Sequence, residues 1–247
     1  MLSSKETLEY DILLIIGEAS GRPMGCGSIA IKLQSMGHAC SEATVGRILR
    51  DLDIAGFTEK AGFQGRKLSD LGSERLNELV GRAHRLKQGQ ELMAAVQGHT
   101  REQLLEVLIA RRAIEGELAY LAAHQAQPGE IEALKSVLAR QRSIREFSEG
   151  AAAEDVEFHN IIVKMAQNRV LAAAIALIRQ DTQLSPILEH IRFQVHSVAN
   201  VDHQRIIEGI ESGDGARART AMIEHINNLI NDVEKYWRFT DHQNNQK

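Results

Sequence analysis

Four side chains of metal-binding type recur in the second half of this 247-residue chain. Asp155 and His159 lie four positions apart in "EDVEFHNIIVKMAQN", a spacing that puts both on one face of a helix, close enough to bind one ion. His203, in "NVDHQRIIEGI", and His225, in "AMIEHINNLI", each belong to the apolar face of a predicted helix. A single inward histidine is usually a hydrogen-bonded core residue, but burying four titratable groups together is costly unless a cation satisfies them. The pattern therefore predicts one metal site made by Asp155, His159, His203 and His225.

The ligand set restricts the chemistry of the predicted site. One carboxylate and three imidazoles suit a borderline divalent ion, namely Zn, Ni, Mn, Co or Fe, and the sequence does not choose among them. An octahedral ion with four protein ligands keeps two open positions, which water or the carboxylate of a small ligand would fill. His196, seven residues before His203, is expected as a fifth ligand, as an effector contact or as a polar residue of the lining.

A nearby arginine offers a partner for an anionic effector. In "ARRAIEGELAYLAA" the adjacent Arg111 and Arg112 lie on a helix whose Ala and Leu face packs inward. Arg111 is expected to face the cavity and to pair with a carboxylate through its planar guanidinium. An intrahelical pair of Arg111 with Glu115 is the alternative, and it is compatible with that role. Asn168, at a predicted helix boundary, is also assigned to the effector contacts.

Helices must position these groups. Only 4% of the residues are aromatic and three are proline, and such a composition favours helix. Beyond residue 100 every segment has helical periodicity, with Pro128, Gly150, Asn168 and the "SGDG" at 212–215 as boundaries. We predict a mainly α protein in which residues 101–240 form an all-α metal- and effector-binding domain of about six helices.

The first 80 residues have a different organisation. Ser3 and Glu6 predict a capping box at the start of the first helix, and the second and third helices, joined by a Gly-His turn, predict a helix-turn-helix. "FTEK" and "GRKLSD" flank a glycine-bounded tip and predict a β-hairpin wing. Residues 1–80 are therefore expected to form a winged-helix DNA-binding domain, followed by a helical linker over 81–100.

The third helix and the wing carry the residues predicted to contact DNA. The apolar positions of the third helix share one face, which leaves its first polar residues outward, where a recognition helix reaches base edges. Residues 1–80 contain nine Lys and Arg against eleven Asp and Glu, so a DNA contact depends on local clustering; between Lys32 and Lys67 the balance is six to four. A protein-contact surface or a solvated basic face is the alternative. The predicted DNA contacts are Ser41, Thr44, Arg47, Arg50, Lys60, Arg66 and Lys67.

Bulk properties narrow the class of protein. A net charge of −4 argues against wholesale coating of nucleic acid or membrane, and no apolar run approaches the roughly 18 residues needed to cross a bilayer. The charged start "MLSSKETLEYD" is unlike a signal peptide, and Cys26 and Cys40 are too few for a disulfide framework. We expect a cytoplasmic protein with free thiols and no membrane contact.

Residues from about 101 to 235 resemble the ligand-binding C-terminal domain of FadR-type regulators of the GntR superfamily, the FCD domain. The motifs that carry the resemblance are "RRAIEGELAYLAA", "DVEFHNIIVKMAQNRVL", "DHQRIIEGIESGD" and "ARTAMIEHI". It implies a homodimeric transcription factor, with the family's metal ligands at Asp155, His159, His203 and His225, its motif arginine at Arg111, and a small organic acid as effector. The N-terminal domain departs from that family, since "GHACSEATVGRILRDLDIAGFTEKAGFQGRKLSDLG" is similar to winged helices of archaeal nitrogen regulators and of some ribonucleases.

Three functions follow from these features. The first is a DNA-binding transcriptional regulator, without enzymatic activity, that a carboxylate metabolite switches. The second is a metalloenzyme, a hydrolase or an oxygenase, since a histidine-carboxylate site with open positions also serves these reactions; the winged helix and the lack of an evident general base argue against it. The third is a protein-interaction module whose metal is structural.

Overall fold

The computed structural model of the protein describes residues 3–97, 100–143, 149–179, 184–197 and 200–244. The chain forms two compact units, Met1–Glu91 and Leu92–Lys247. The predicted fold class is confirmed, because helices and a β-hairpin form the first unit and helices form the second. The domain boundaries predicted at residues 80 and 100 stay predictions, and a single helix continues through residue 80.

The first unit has the element order of a winged helix. The N-cap Ser3 accepts from the Glu6 backbone N–H and the Glu6 carboxylate accepts from Ser3, so the predicted capping box is confirmed. Ser41 caps the third helix by accepting from the Thr44 backbone N–H at 3.2 Å. The elements are α1 (Ser4–Glu18), α2 (Cys26–Ser35), α3 (Glu42–Ile54), β1 (Thr58–Lys60), β2 (Arg66–Leu68) and α4 (Asp70–Val96).

The predicted hairpin wing is confirmed. β1 and β2 pair antiparallel, with Thr58 opposite Leu68 and Lys60 opposite Arg66. The backbone of Arg66 also pairs with that of Met24, at 2.8 and 3.0 Å. Glycine is required at Gly65, where φ is +124° and a Cβ atom would stand 2.2 Å from the Met24 carbonyl oxygen. The wing is thus fixed to the segment before α2.

Apolar side chains of α1, α2, α3 and α4 share the core of this unit. Ile12, Ile29, Val45, Leu49 and Leu79 are each 0% exposed. Because Val45 and Leu49 are one turn apart, they commit one face of α3 to the core and leave the other toward solvent.

The second unit consists of seven helices within the described residues, one more than the sequence predicted. The stretch 169–194, whose sequence has a helical period throughout, contains two helices. Pro186 falls in the first turn of the second of them, where its missing N–H needs no partner. The helices are α5 (Arg101–Gln125), α6 (Pro128–Ser143), α7 (Glu149–Met165), α8 (Arg169–Arg179), α9 (Leu184–Gln194), α10 (Asn200–Glu211) and α11 (Gly215–Asn244).

A tight approach of α10 to α11 helps to position the site. A Cβ atom on Gly209 would stand 2.6 Å from the Ala218 backbone nitrogen, so only glycine permits this packing. Ile206 and Ile210 from α10 pack with Met222 and Ile226 from α11 in one core. Among the described residues, no helix is both long and apolar enough to cross a membrane.

Candidate functional site

Four predicted metal ligands converge in the core of the helical unit. Asp155 and His159 come from α7, His203 from α10 and His225 from α11. One ligand atom from each residue lies within 4.8 Å of the others, and all four residues are buried. Bonds from a first-row divalent ion to nitrogen and oxygen are about 2.0 to 2.2 Å, so ligands on opposite sides of one ion stand about 4 Å apart. The observed limit of 4.8 Å exceeds this separation by less than about 1 Å, so a small inward shift of the side chains would let all four atoms bind one ion.

The atoms that face one another carry free lone pairs. Within the part of the chain that the structure describes, Asp155 Oδ1 and the Nε2 atoms of His159, His203 and His225 are fully buried without a hydrogen-bond partner. Buried polar atoms without partners are costly, and four in one cluster is an unusual concentration. A cation bound among them would satisfy all four, so the donor set fits a divalent metal.

The other ring nitrogen of each histidine has its own neighbour. His203 Nδ1 lies 2.8 Å from Gln141 Oε1, whose carbonyl oxygen only accepts, so Nδ1 carries the proton and Nε2 keeps its lone pair. His159 Nδ1 contacts Glu115 Oε2 directly. His225 Nδ1 lies 3.6 Å from Asp202 Oδ2. Such outer partners orient metal-binding imidazoles and increase their basicity.

Burial keeps the three imidazoles neutral. It lowers the pKa of His225 to about 4, against the effects of Asp202 and Asp155. Burial likewise lowers the pKa of His203 well below its ordinary value, and it lowers that of His159 despite the nearby Glu115. Neutral imidazoles are the form that binds metals, so these side chains are ready as ligands at neutral pH.

The carboxylates of the site are held ionised by the buried arginines. Burial alone would raise the pKa of Asp155, but the guanidinium groups of Arg192 and Arg179 oppose it, and the pKa lies well below its ordinary value. Burial opposes ionisation of Glu115 in the same way, and the charges of Arg111 and Arg179, with the contact to His159 Nδ1, keep its pKa well below the usual range.

Three buried arginines lie beside the ligand cluster, and the sequence predicted only one of them. Arg111 Nε donates to Glu115 Oε1 at 2.6 Å, so the predicted intrahelical pair is present. Arg179 Nη2 and Arg192 Nη1 each lie 3.5 Å from an Asp155 carboxylate oxygen. Arg111 Nη2 is buried without a hydrogen-bond partner among the described residues. The arrangement places guanidinium donors next to the site, one of them with an unused N–H group.

Helical periodicity could have identified Arg179 and Arg192, the two arginines that the sequence did not predict. Arg179 is four residues after the buried Ile175, and Arg192 is four residues after the buried Leu188, so each continues the inward row of its helix.

Two predicted effector contacts lie in other environments. His196 is exposed at the end of α9 and lines, with Tyr236 and Phe239, a cavity of about 480 Å³. The Asn168 Oδ1 atom accepts from the backbone N–H groups of Val170 and Leu171, both at 3.1 Å, and so caps α8. Their effector contacts stay predictions, and neither residue is among the four clustered ligands.

Most of the predicted DNA contacts are exposed. Ser41, Arg47, Arg50, Lys60 and Lys67 are exposed, and Thr44 is half-buried beside Ser41 at the start of α3. Arg66 is different, since its guanidinium binds both carboxylate oxygens of Asp53 at 2.9 to 3.0 Å. Arg66 therefore anchors the wing to α3.

Comparison with known families agrees with both units. The family model described as the FCD domain matches residues 106–228, and that of the ribonuclease R winged-helix domain matches residues 10–76. The chain belongs to the FCD-domain transcriptional regulators of the GntR family, with a winged-helix domain of the ribonuclease R type. This is a class of transcriptional regulators and not of enzymes, which sets aside the metalloenzyme alternative.

Individual relatives match different parts of the chain. The global nitrogen regulator NrpRI of Methanosarcina mazei is 42% identical over 70 residues, which cover 28% of this chain and 21% of the relative. A putative L-lactate dehydrogenase operon regulatory protein of Escherichia coli is 30% identical over 137 residues, which cover 53% of this chain and 52% of the relative. The chain thus spans about half or less of these curated relatives.

A solved structure shares the fold. The crystal structure of a GntR-family transcriptional regulator from Pseudomonas syringae pv. tomato superimposes with a TM-score of 0.51 at 13% identity. The match covers 91% of this chain and 80% of that one.

Proposed function

We propose that the protein is a dimeric DNA-binding transcriptional regulator whose helical domain binds one divalent metal ion and a small organic acid. The observation that carries this proposal is the cluster of four buried ligand atoms in the FCD domain that have no hydrogen-bond partner among the described residues. Asp155, His159, His203 and His225 would hold the ion, which is Zn, Ni, Mn, Co or Fe. A borderline divalent ion suits one carboxylate and three imidazoles.

The effector class follows from the charges beside the metal. Four protein ligands leave open positions on an octahedral ion, and a carboxylate oxygen is a suitable ligand there. Arg111 has a buried N–H group that no described residue accepts, and a guanidinium pairs well with a carboxylate. Because one relative is named for an L-lactate dehydrogenase operon, L-lactate belongs among the first acids to test.

The DNA-binding role is supported by the first unit. The exposed residues Arg47 and Arg50 on α3 and Lys60 and Lys67 on the wing offer positive charge to phosphates and base edges. Two winged helices related by a twofold axis would read an inverted repeat, whereas a single one has a small footprint. We place the protein in the cytoplasm, where it would reach chromosomal DNA.

Elemental analysis of the purified protein is the first test, and about one divalent ion per chain is expected. A thermal-shift screen with mono-, di- and tricarboxylates, L-lactate included, follows on metal-loaded and chelator-treated protein. We expect a stabilising acid that acts only on the metal-loaded form, because the ion completes its binding site. A protein that contains no metal and gains none on dialysis against the five ions would contradict the proposal.

Sedimentation at micromolar concentration tests the assembly. A dimeric mass is expected, together with binding to a duplex selected from random DNA. A monomer that binds the same duplex with unchanged affinity at all concentrations would exclude the dimer.

A further inference from the structure

We propose that Glu115 is a positioning residue for the metal site, required as a carboxylate because it must accept from two donors at once. It acts through His159 by fixing which ring nitrogen carries the proton. The inference rests on the proposed metal binding and assigns no ligand atom to Glu115 itself. Glu115 is not among the four clustered ligands.

The geometry places Glu115 between the arginines and the metal ligands. Its side chain, on α5, is 2% exposed. One carboxylate oxygen, Oε1, accepts from Arg111 Nε at 2.6 Å. The other, Oε2, contacts His159 Nδ1 and lies 3.5 Å from Arg179 Nη1. Each oxygen therefore faces at least one nitrogen of a neighbouring side chain.

The chemistry of these neighbours explains why a carboxylate is needed. The Arg111 guanidinium only donates hydrogen bonds. His159 binds a metal through Nε2 only when the ring proton is on Nδ1, and Nδ1–H then needs an acceptor. A carboxylate accepts on both oxygens, whereas an amide presents one oxygen and one NH₂ group. Glutamine at this position would satisfy either Arg111 or His159, but not both.

His203 provides an internal comparison. Its Nδ1 faces the amide oxygen of Gln141 at 2.8 Å, and no other hydrogen bond of the Gln141 side chain is seen among the described residues. There one acceptor serves one donor, and an amide suffices. Glu115 does the same for His159 and in addition neutralises Arg111, so its second oxygen has a separate use.

The test is Glu115→Gln in the full-length protein, stripped with a chelator and titrated with Zn²⁺ in a calorimeter. The variant should bind Zn²⁺ about 10- to 100-fold more weakly, the usual effect of losing an outer partner of a metal ligand. The matched control is Glu117→Gln on the same helix, since Glu117 pairs with Arg219 and is 42% exposed. The control should retain the wild-type affinity.

A spectroscopic readout separates this role from a merely structural one. Nitrogen NMR of ¹⁵N-histidine-labelled, metal-free protein reports the tautomer of each ring. His159 should carry its proton on Nδ1 in the wild type, and a fraction should move to Nε2 in Glu115→Gln. His203, held by Gln141, should not change.

The outcomes are distinct. If the wild type binds none of the five candidate ions, the proposed function fails and this inference falls with it. If the wild type binds Zn²⁺ and a folded Glu115→Gln variant matches its affinity and tautomer, only the inference is overturned. If Glu115→Gln does not fold, Glu115→Asp decides: it keeps two accepting oxygens but withdraws them by one methylene group. Unchanged Zn²⁺ affinity in that variant overturns the inference, and a several-fold loss supports it.

Discussion

At the scale of single residues, the imidazoles of the ligand cluster resist protonation while the protein is folded, and this has a consequence for the metal-free form. Burial lowers the pKa of His225 from the ordinary 6.5 to about 4. Below pH 6.5 the unfolded chain therefore binds a proton that the folded chain rejects. The contribution of His225 to the free energy of unfolding is fully present above pH 6.5 and is lost as the pH falls from 6.5 toward 4.

The first prediction is that chelator-treated protein loses roughly 3 kcal/mol of unfolding free energy through His225 across this interval. Urea unfolding followed by the fluorescence of Trp237, the single tryptophan, measures it between pH 7 and pH 4. His225→Asn should reduce the dependence in this range, and the part that His203 and His159 contribute should remain. Stability of the wild type that is independent of pH in this interval would show that the ring is not kept neutral.

The second prediction concerns the ligand assignment. His203→Ala should weaken metal binding strongly, because the three remaining ligands leave the ion incompletely coordinated. His190→Ala is the matched control, since His190 is an exposed histidine of the same unit and lies outside the cluster. Elemental analysis after dialysis measures both. Stoichiometric metal in a double variant of His203 and His225 would rule out these ligands.

The clustering of Asp155, His159, His203 and His225 was predictable from the sequence because the signal is local. Asp155 and His159 are four residues apart, and His203 and His225 each lie in a row of apolar residues, so helical geometry alone turned them inward. The pairing of Arg179 with Asp155, on separate helices, depends instead on how α8 packs against α7. No pattern within either helix specifies that contact.

At the scale of elements, the wing is held by the ion pair of Arg66 with Asp53, which occupies a guanidinium that was predicted to contact DNA. Asp53 of α3 accepts from the Arg66 guanidinium and, at 2.6 Å, from the Thr58 hydroxyl. These hydrogen bonds tie both strands to the helix that is predicted to read DNA. Arg66, predicted as a DNA contact, is thereby used to position Lys60 and Lys67 on the same hairpin.

The third prediction follows from that anchor. Asp53→Ala removes a negative charge and releases Arg66, so electrostatics alone would strengthen DNA binding. If the wing position matters, the affinity for a selected duplex should instead fall, by several-fold in fluorescence anisotropy. Asp51→Ala, an exposed residue of the same helix with the same charge change, is the control and should bind as well as the wild type or better. A gain in both variants would contradict the anchoring role.

The elements themselves were predictable to different degrees. The hairpin and the capped start of α1 followed from short signals, Gly-bounded strands and a Ser-Glu pair. The division of 169–194 into α8 and α9 did not, because a helical period continues across "NRVLAAAIALIRQDTQLSPILEHIRFQ". Pro186 does not mark the start unambiguously, since proline is compatible with any position of a helix's first turn.

At the scale of the whole molecule, the proposed function requires that two separate units influence each other. An effector changes DNA affinity only by as much as it prefers one arrangement of the dimer over another. Couplings of this kind are typically about 1 to 3 kcal/mol, or roughly 5- to 150-fold in affinity. We expect the effector to change DNA affinity by a factor in this range. By reciprocity, DNA should change the affinity for the effector by the same factor.

The final prediction separates the two units by variants that preserve folding. Arg47→Ala, at an exposed site on α3, should abolish binding to the selected duplex while metal and effector binding persist. Arg111→Lys should lose effector binding while DNA and metal binding persist. Lysine keeps a positive charge near the buried Glu115, which truncation to alanine would leave without its nearest arginine, but it lacks the planar fork that recognises a carboxylate. Both proteins are tested for metal content, effector-induced thermal shift and DNA anisotropy. If the units divide the work, both keep the metal, Arg47→Ala loses only the DNA signal and Arg111→Lys loses only the effector signal. Loss of DNA and effector binding together in each folded variant would mean that one shared surface serves both ligands.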